Sequence, residues 1–171
     1  MTRRRGSSSP RGPDLPGTAY HVRVLILLPP SEGKTAPASG PSLELGSLLD
    51  AERLTPPRRE VMSALTEVSR HPDGPSILGL GPRSAELAEA NLSLETSPCT
   101  PAYRLFTGVL YEAAGLDSIA TNAAGRKALE RPCAIFSGLW GILSPIDAVP
   151  DHRLSMGTSL PGLGRLPSFW K

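Results

Sequence analysis

Two glycines three residues apart, Gly138 and Gly141, interrupt an apolar run that otherwise reads as a buried strand, Ala134 to Leu143. A core strand fills such positions with branched side chains. Glycine within a strand marks a bulge or the close approach of another backbone or a ligand. One of only 2 tryptophans, Trp140, lies between them, and the run closes on Ser144-Pro145-Ile146-Asp147, a polar turn preset by its proline. The segment is a shaped surface, and another part of the chain has to be built against it.

The other elements must be short, because 19 prolines and 17 glycines punctuate 171 residues. That length suits one domain. With aromatics at 5%, the core falls to Leu, Val, Ile and Ala. The net charge is +2, yet residues 1–23 hold five arginines against Asp14, about +4, which leaves the remainder about −2. The body is therefore not strongly basic, and any nucleic-acid reading must rest on local geometry.

Cys99 and Cys133 are too few for a disulfide framework and read as reduced thiols of a cytoplasmic protein. Their spacing to His21, His71 and His152 fits no zinc pattern, so neither metal nor cofactor is expected. No apolar run approaches the roughly 20 residues that span a bilayer. The arginine-rich start lacks the apolar segment of a secretory signal.

Residues 1–21 are polar and read as a disordered tail. Val22 to Leu28 is the first strand, its continuous apolar run suited to a central, two-sided position. A helical turn is expected within Leu43–Arg53. A helix is expected from Pro57 to Arg70, with Thr55 as cap and Val61, Leu65 and Val68 inward. Further helices are predicted over Ser84–Asn91 (Ala85, Leu87 and Ala88 inward), Ala102–Ala114 and Thr121–Glu130. A strand opens at Cys133, and a short one is expected at Arg153–Met156.

Two constellations carry candidate chemistry. The first, Ser31-Glu32-Gly33-Lys34-Thr35, follows the first strand directly. Leu28 occupies the place where a triphosphate-wrapping loop needs glycine, so nucleotide hydrolysis is not expected. Loops at strand ends are nonetheless common ligand sites in α/β sheets, and Lys34 with Ser31 and Thr35 can hold an anion. The alternative is a solvated turn with Lys34 in water. This loop is also the expected neighbour of the Gly138–Gly141 segment.

The second is Gly79-Leu80-Gly81-Pro82-Arg83-Ser84. Its glycines admit close backbone approach, and free amides at a helix start favour an anion. The hairpin resembles the helix-hairpin-helix motif that grips a DNA phosphate, in which Leu80 would plug the core while Arg83 and Ser84 faced the phosphate. The alternative is a glycine turn joining two helices. A triad of Ser137, His152 and Asp147 or Asp151 lacks a nucleophile elbow, and His152 reads as a surface-loop residue.

PPSEGKT, LGLGPRSAELAEAN, AYRLFTGVLYEAAGL, FSGLWGILSPID, DHRLSMG and the final Ser168-Phe169-Trp170 stand in the order of the YaaA family of peroxide-stress response proteins, which the chain resembles from Val22 to Lys171. The resemblance implies a mixed α/β fold with a helix-hairpin-helix element and a positively charged cleft, in a cytoplasmic bacterial protein. It also implies binding of double-stranded DNA and protection from peroxide damage linked to intracellular iron, without a known enzymatic reaction. Carried over by position, Gly79, Leu80, Gly81, Arg83 and Ser84 would contact DNA. Ser31, Lys34, Thr35, Tyr111, Ser137, Gly138, Asp147 and Arg153 would line the cleft. An enzyme or small-anion binder built on the Ser31–Thr35 loop with Ser137 and Arg153 is the alternative. Family members are longer, so residues 22–171 are expected to form the first two-thirds of such a domain, with apolar sheet edges left unpaired.

Overall fold

A computed structural model describes residues 24–130 and 132–171; the tail expected over residues 1–21 lies outside them. The fold is mixed α/β. In chain order the elements are β1 (Ile26–Leu28), α1 (Ala51–Arg70), α2 (Gly74–Ile77), β2 (Cys99–Pro101), α3 (Ala102–Leu105), α4 (Val109–Ala114), α5 (Leu116–Ile119) and α6 (Ala123–Glu130). There follow β3 (Cys133–Ser137), β4 (Gly141–Leu143), β5 (Ala148–Pro150), β6 (Ser159–Leu160), β7 (Gly164–Arg165) and α7 (Leu166–Phe169). Tight 3₁₀ segments occupy Leu45–Ser47 and Pro82–Leu92.

β3 is the centre of a three-stranded sheet, parallel to β1 and antiparallel to β4, with Leu27 opposite Ala134 and Phe136 opposite Ile142. The glycine-punctuated run is thus a hairpin rather than one strand. β2 pairs with β5, and β6 with β7, as separate two-stranded sheets. Val61, Leu65 and Val68 of α1 are buried, as their helical spacing predicts, and join Leu105, Ile135, Leu139, Trp140 and Leu143 in one core.

Several expectations are corrected. β1 is not central: it lies at an edge among the described residues, and Val24, Leu25, Ile26 and Leu27 are exposed while Leu28 alone is buried. The long α1 starts at Ala51, not Pro57, so Thr55 is interior and Pro56 and Pro57 lie within the helix. The helix predicted over Ala102–Ala114 breaks at Phe106–Gly108, because Thr107 donates its N–H to Gly33 O (2.9 Å) and Gly108 donates to Ser31 Oγ (3.1 Å).

Residues Ser84–Asn91 wind as a 3₁₀ rather than an α-helix. At three residues per turn the inward line runs through Ala85, Ala88 and Asn91, and Leu87 turns outward, 43% exposed. The glycine turn before it follows the single turn α2, so the two α-helices of a helix-hairpin-helix do not form around it. Arg153–Met156 is irregular rather than a strand.

The glycines of the hairpin do meet close neighbours, but not the Ser31–Thr35 loop. A Cβ on Gly138 would stand 3.0 Å from Leu154 O and 3.1 Å from Met156 N. One on Gly141, where φ is +72°, would stand 2.7 Å from the Trp170 ring. Trp170 then donates its indole N–H to Gly138 O at 2.9 Å.

Candidate functional site

The irregular segment after β5 and the glycine turn after α2 face each other across a groove of about 570 Å³. Gly79 and Leu80 form part of one wall, Arg153, Ser155 and Thr158 another, and Glu32 the rim. Gly79 adopts φ +71° with open space beside its Cα, so glycine is demanded here by backbone conformation, not by crowding.

Arg153 is held from both ends. The side chain of Asn91, fully buried on the 3₁₀ segment, receives Arg153 N–H at 2.8 Å and donates to Arg153 O at 3.0 Å. At the other end Arg153 Nη1 donates to Asp151 Oδ1 at 2.6 Å and to His152 O at 3.0 Å. Nε and Nη2 make no hydrogen bond among the described residues. Arg153 thus presents a fixed guanidinium with one edge free, the geometry that takes a carboxylate or phosphate in a bidentate manner.

Lys34 lies beside this cluster. Its backbone bridges to Phe106, Thr35 N–H donates to Leu105 O (2.9 Å), and its Nζ donates to Ser31 O at 2.9 Å while sitting 5.6 Å above the centre of the Phe106 ring. Lys34 is half-buried rather than solvated. Burial, reinforced by the nearby Arg153 guanidinium, pushes its amine down to about 8, against the opposing pull of Glu32 and Asp151. Phe106 leads on to His152, which packs edge-on against both Phe106 (6.2 Å) and Trp140 (5.8 Å).

His152 is 1% exposed, so it is not the surface residue expected. Burial, then Lys34, hold its imidazole down to about 3. The neutral ring with Nδ1 at 3.0 Å from Pro150 O donates from that nitrogen, which leaves Nε2 unprotonated. Ser137 Oγ is engaged by Trp140 N–H at 3.3 Å, and no Ser137–His152 bond exists.

The other expected cleft residues part company. Ser31 Oγ donates to Gly33 O (3.0 Å) and accepts from Gly108, which holds the loop's own turn. Tyr111 is buried, with its hydroxyl donating to Pro29 O at 2.6 Å. Gly138 serves the close approach of Leu154–Met156. Arg83 and Gly81 are exposed and Ser84 half-buried, all outside the groove walls.

Asp147 lies in the interior. Its Oδ2 accepts from Leu49 N (2.9 Å) and Ser144 N (3.0 Å), near a fully buried Arg58. Arg58 in turn donates to Trp140 O, Leu49 O and Ile142 O. Asp147 is thus a structural carboxylate, with burial raising its pKa despite those amides and Arg58.

Asn91 and Arg58 were missed by sequence reasoning. Arg58 carries a readable signal, a charge three and seven residues before Val61 and Leu65 on the apolar face of α1. Among the described residues no group of three His, Cys, Asp or Glu side chains could hold a metal, and no helix is long and apolar enough to cross a membrane.

A family model described as peroxide stress protein YaaA matches residues 24–171. A UPF0246 protein of Streptomyces coelicolor is 39% identical over 150 residues, covering 86% of this chain and 56% of its own. One from Corynebacterium efficiens is 39% identical over 139 residues, covering 81% and 54%. One from Cereibacter sphaeroides is 35% identical over 130 residues, covering 72% and 49%. The chain spans about half the length of the curated relatives it matches.

Proposed function

The chain belongs to the YaaA family of peroxide stress proteins, and from that premise we propose that it is a cytoplasmic DNA-binding protein of the oxidative-stress response. It contacts duplex DNA through backbone phosphates, without sequence preference, and limits damage linked to intracellular iron. The observation that supports this reading is the groove itself, which is lined by both the Gly79–Leu80 turn and Arg153, a guanidinium with one edge unbonded among the described residues. A phosphate is the group that such an edge and nearby hydroxyls recognise, and phosphate contacts carry affinity without sequence information.

The test is fluorescence anisotropy of a labelled duplex at two salt concentrations, with the unmodified chain, Arg83→Glu and Arg153→Ala. Loss of one phosphate contact should weaken binding on all sequences and flatten the log–log salt slope by about 1. Equal affinity for all three proteins, without salt dependence, would sink the reading.

A second reading is a small anionic molecule in the same groove. It is favoured by the half-buried Lys34 amine beside Arg153, a pairing of like charges that an anion relieves. Thermal stabilisation by inorganic phosphate that disappears in Lys34→Ala supports it; no shift across a broad anion panel counts against it.

A further inference from the structure

β3 has a neighbour on each side, but among the described residues β1 pairs with β3 alone. Ile26 donates its N–H to Pro132 O, so the next residue, Leu27, turns its amide and carbonyl to the open side. Side chains alternate across a strand. Leu28, Ile135 and Leu143 stand in register across the three strands and point into the core. Leu27 and Phe136 therefore point the other way, 51% and 38% exposed, and Val24, Leu25 and Ile26 are exposed beside them. The sheet is thus open along one edge and apolar on its outer face at the same place.

A strand at a permanently free edge is blunted by charge or proline. Residues 24–28, Val-Leu-Ile-Leu-Leu, carry neither. Continuous apolar runs of this kind belong to strands covered on both faces, and a contiguous exposed apolar patch marks a docking surface. A second copy that paired β1 against β1 would fill the edge, yet extending a sheet leaves its faces bare, and Leu27 and Phe136 would stay in water. The occupant has to supply both a strand and an apolar layer. The relatives carry polypeptide for this. The match covers 56% of the Streptomyces coelicolor protein and 54% of the Corynebacterium efficiens protein, so more than two-fifths of each lies outside it. We propose that the free edge of β1 and the outer face at Leu27 and Phe136 are the docking surface for that remaining part of the YaaA polypeptide. It adds a strand beside β1 and lays apolar side chains over the face. The groove beside Arg153 takes no part, so this inference stands apart from the DNA and anion readings.

The experiment co-expresses the full chain with the longest stretch of the Streptomyces coelicolor protein outside the match, tagged on that stretch alone. The two should co-purify one to one, and the Leu27 amide should exchange its hydrogen at least about a hundredfold more slowly than in the full chain alone. Leu27→Glu and Phe136→Glu alter exposed positions and should leave the thermal melt of the full chain unchanged. Each should weaken the complex at least about a hundredfold, because an unpaired carboxylate is costly to bury. The same exchange measurement on the intact relative requires no fragment to fold. Its amide aligned with Leu27 should be protected, and dilution should not change that.

Co-purification that both glutamate variants abolish supports the proposal. A complex that they leave equally tight overturns it. A dimer of the full chain that protects Leu27 and excludes the added stretch also overturns it and gives the surface to a second copy. Where the stretch fails to fold and no complex is recovered, the intact relative decides. Protection unchanged by dilution upholds the proposal, and fast exchange, or protection lost on dilution, overturns it.

Discussion

Replacing Asn91 by alanine probes the part of the site that positions Arg153. The change removes the bonds from Nδ2 to Ser69 Oγ (3.0 Å) and to Arg153 O (3.0 Å), and the acceptor for Arg153 N–H (2.8 Å). Each is worth about 0.5–1.5 kcal/mol net, and the partners left behind are only partly buried, so water recovers some of the loss. The expected destabilisation is about 2–4 kcal/mol. For a chain of this size that lowers the melting temperature by about 5–15 °C and leaves the protein folded at 25 °C.

Urea unfolding followed by circular dichroism measures the loss, with an unchanged m-value as the sign that only stability moved. Asn91 reaches ligand only through Arg153. Its effect on duplex or phosphate affinity should therefore be non-additive with Arg153→Ala in a double-mutant cycle. A loss below about 1 kcal/mol, or additive effects on binding, would refute the assignment of Asn91 as the residue that fixes Arg153.

Acid should act through His152. Its folded-state pKa of about 3 lies below the unfolded value near 6.5, so the unfolded chain binds the extra proton between those limits and stability falls as pH drops through that window. The loss is up to about 4 kcal/mol, and urea midpoints measured from pH 7 to pH 4 should decline less steeply in His152→Phe than in the unmodified chain. Cys99 and Cys133 are buried, and burial pushes both thiols up, Cys99 to about 11. Thiolate is the reactive species, so hydrogen peroxide and thiol reagents should modify the native chain at least about a hundredfold more slowly than the urea-unfolded chain. Equal rates would contradict the buried placement.

The sequence made some of this legible because its signals are local. The helical spacing of Val61, Leu65 and Val68 and the demand of Gly138 and Gly141 for close neighbours both depend on the segment itself. What those glycines meet does not. Leu154–Met156 and Trp170 are chosen by the chain's path, and the Ser31–Thr35 loop found Thr107 and Gly108 instead. The same long-range pairing split the helix expected over Ala102–Ala114, whose apolar spacing is otherwise helical. β1 was misplaced because an apolar run signals burial wherever its neighbours happen to lie; among the described residues only β3 pairs with it. In the candidate site, Arg153, Lys34, Gly79 and Leu80 were readable as residues suited to anions. Arg153 is fixed there by Asn91, an amide that in sequence looks like any helix-end polar residue.

Arg58 has a consequence for how the chain reaches this structure. Its carbonyl partners on Trp140 and Ile142 lie more than 80 residues away along the chain, and Leu49 O lies only nine away. Helix α1 can form early from local contacts, but its guanidinium stays in water until the β3–β4 hairpin arrives to receive it. Closing that loop is an entropic step that no local element shortens. Folding should therefore be slow for a chain of this length and sharply cooperative at its end. A proteolytic nick between α1 and β3 in the nascent state would leave a helix carrying an unmatched charge on its apolar face.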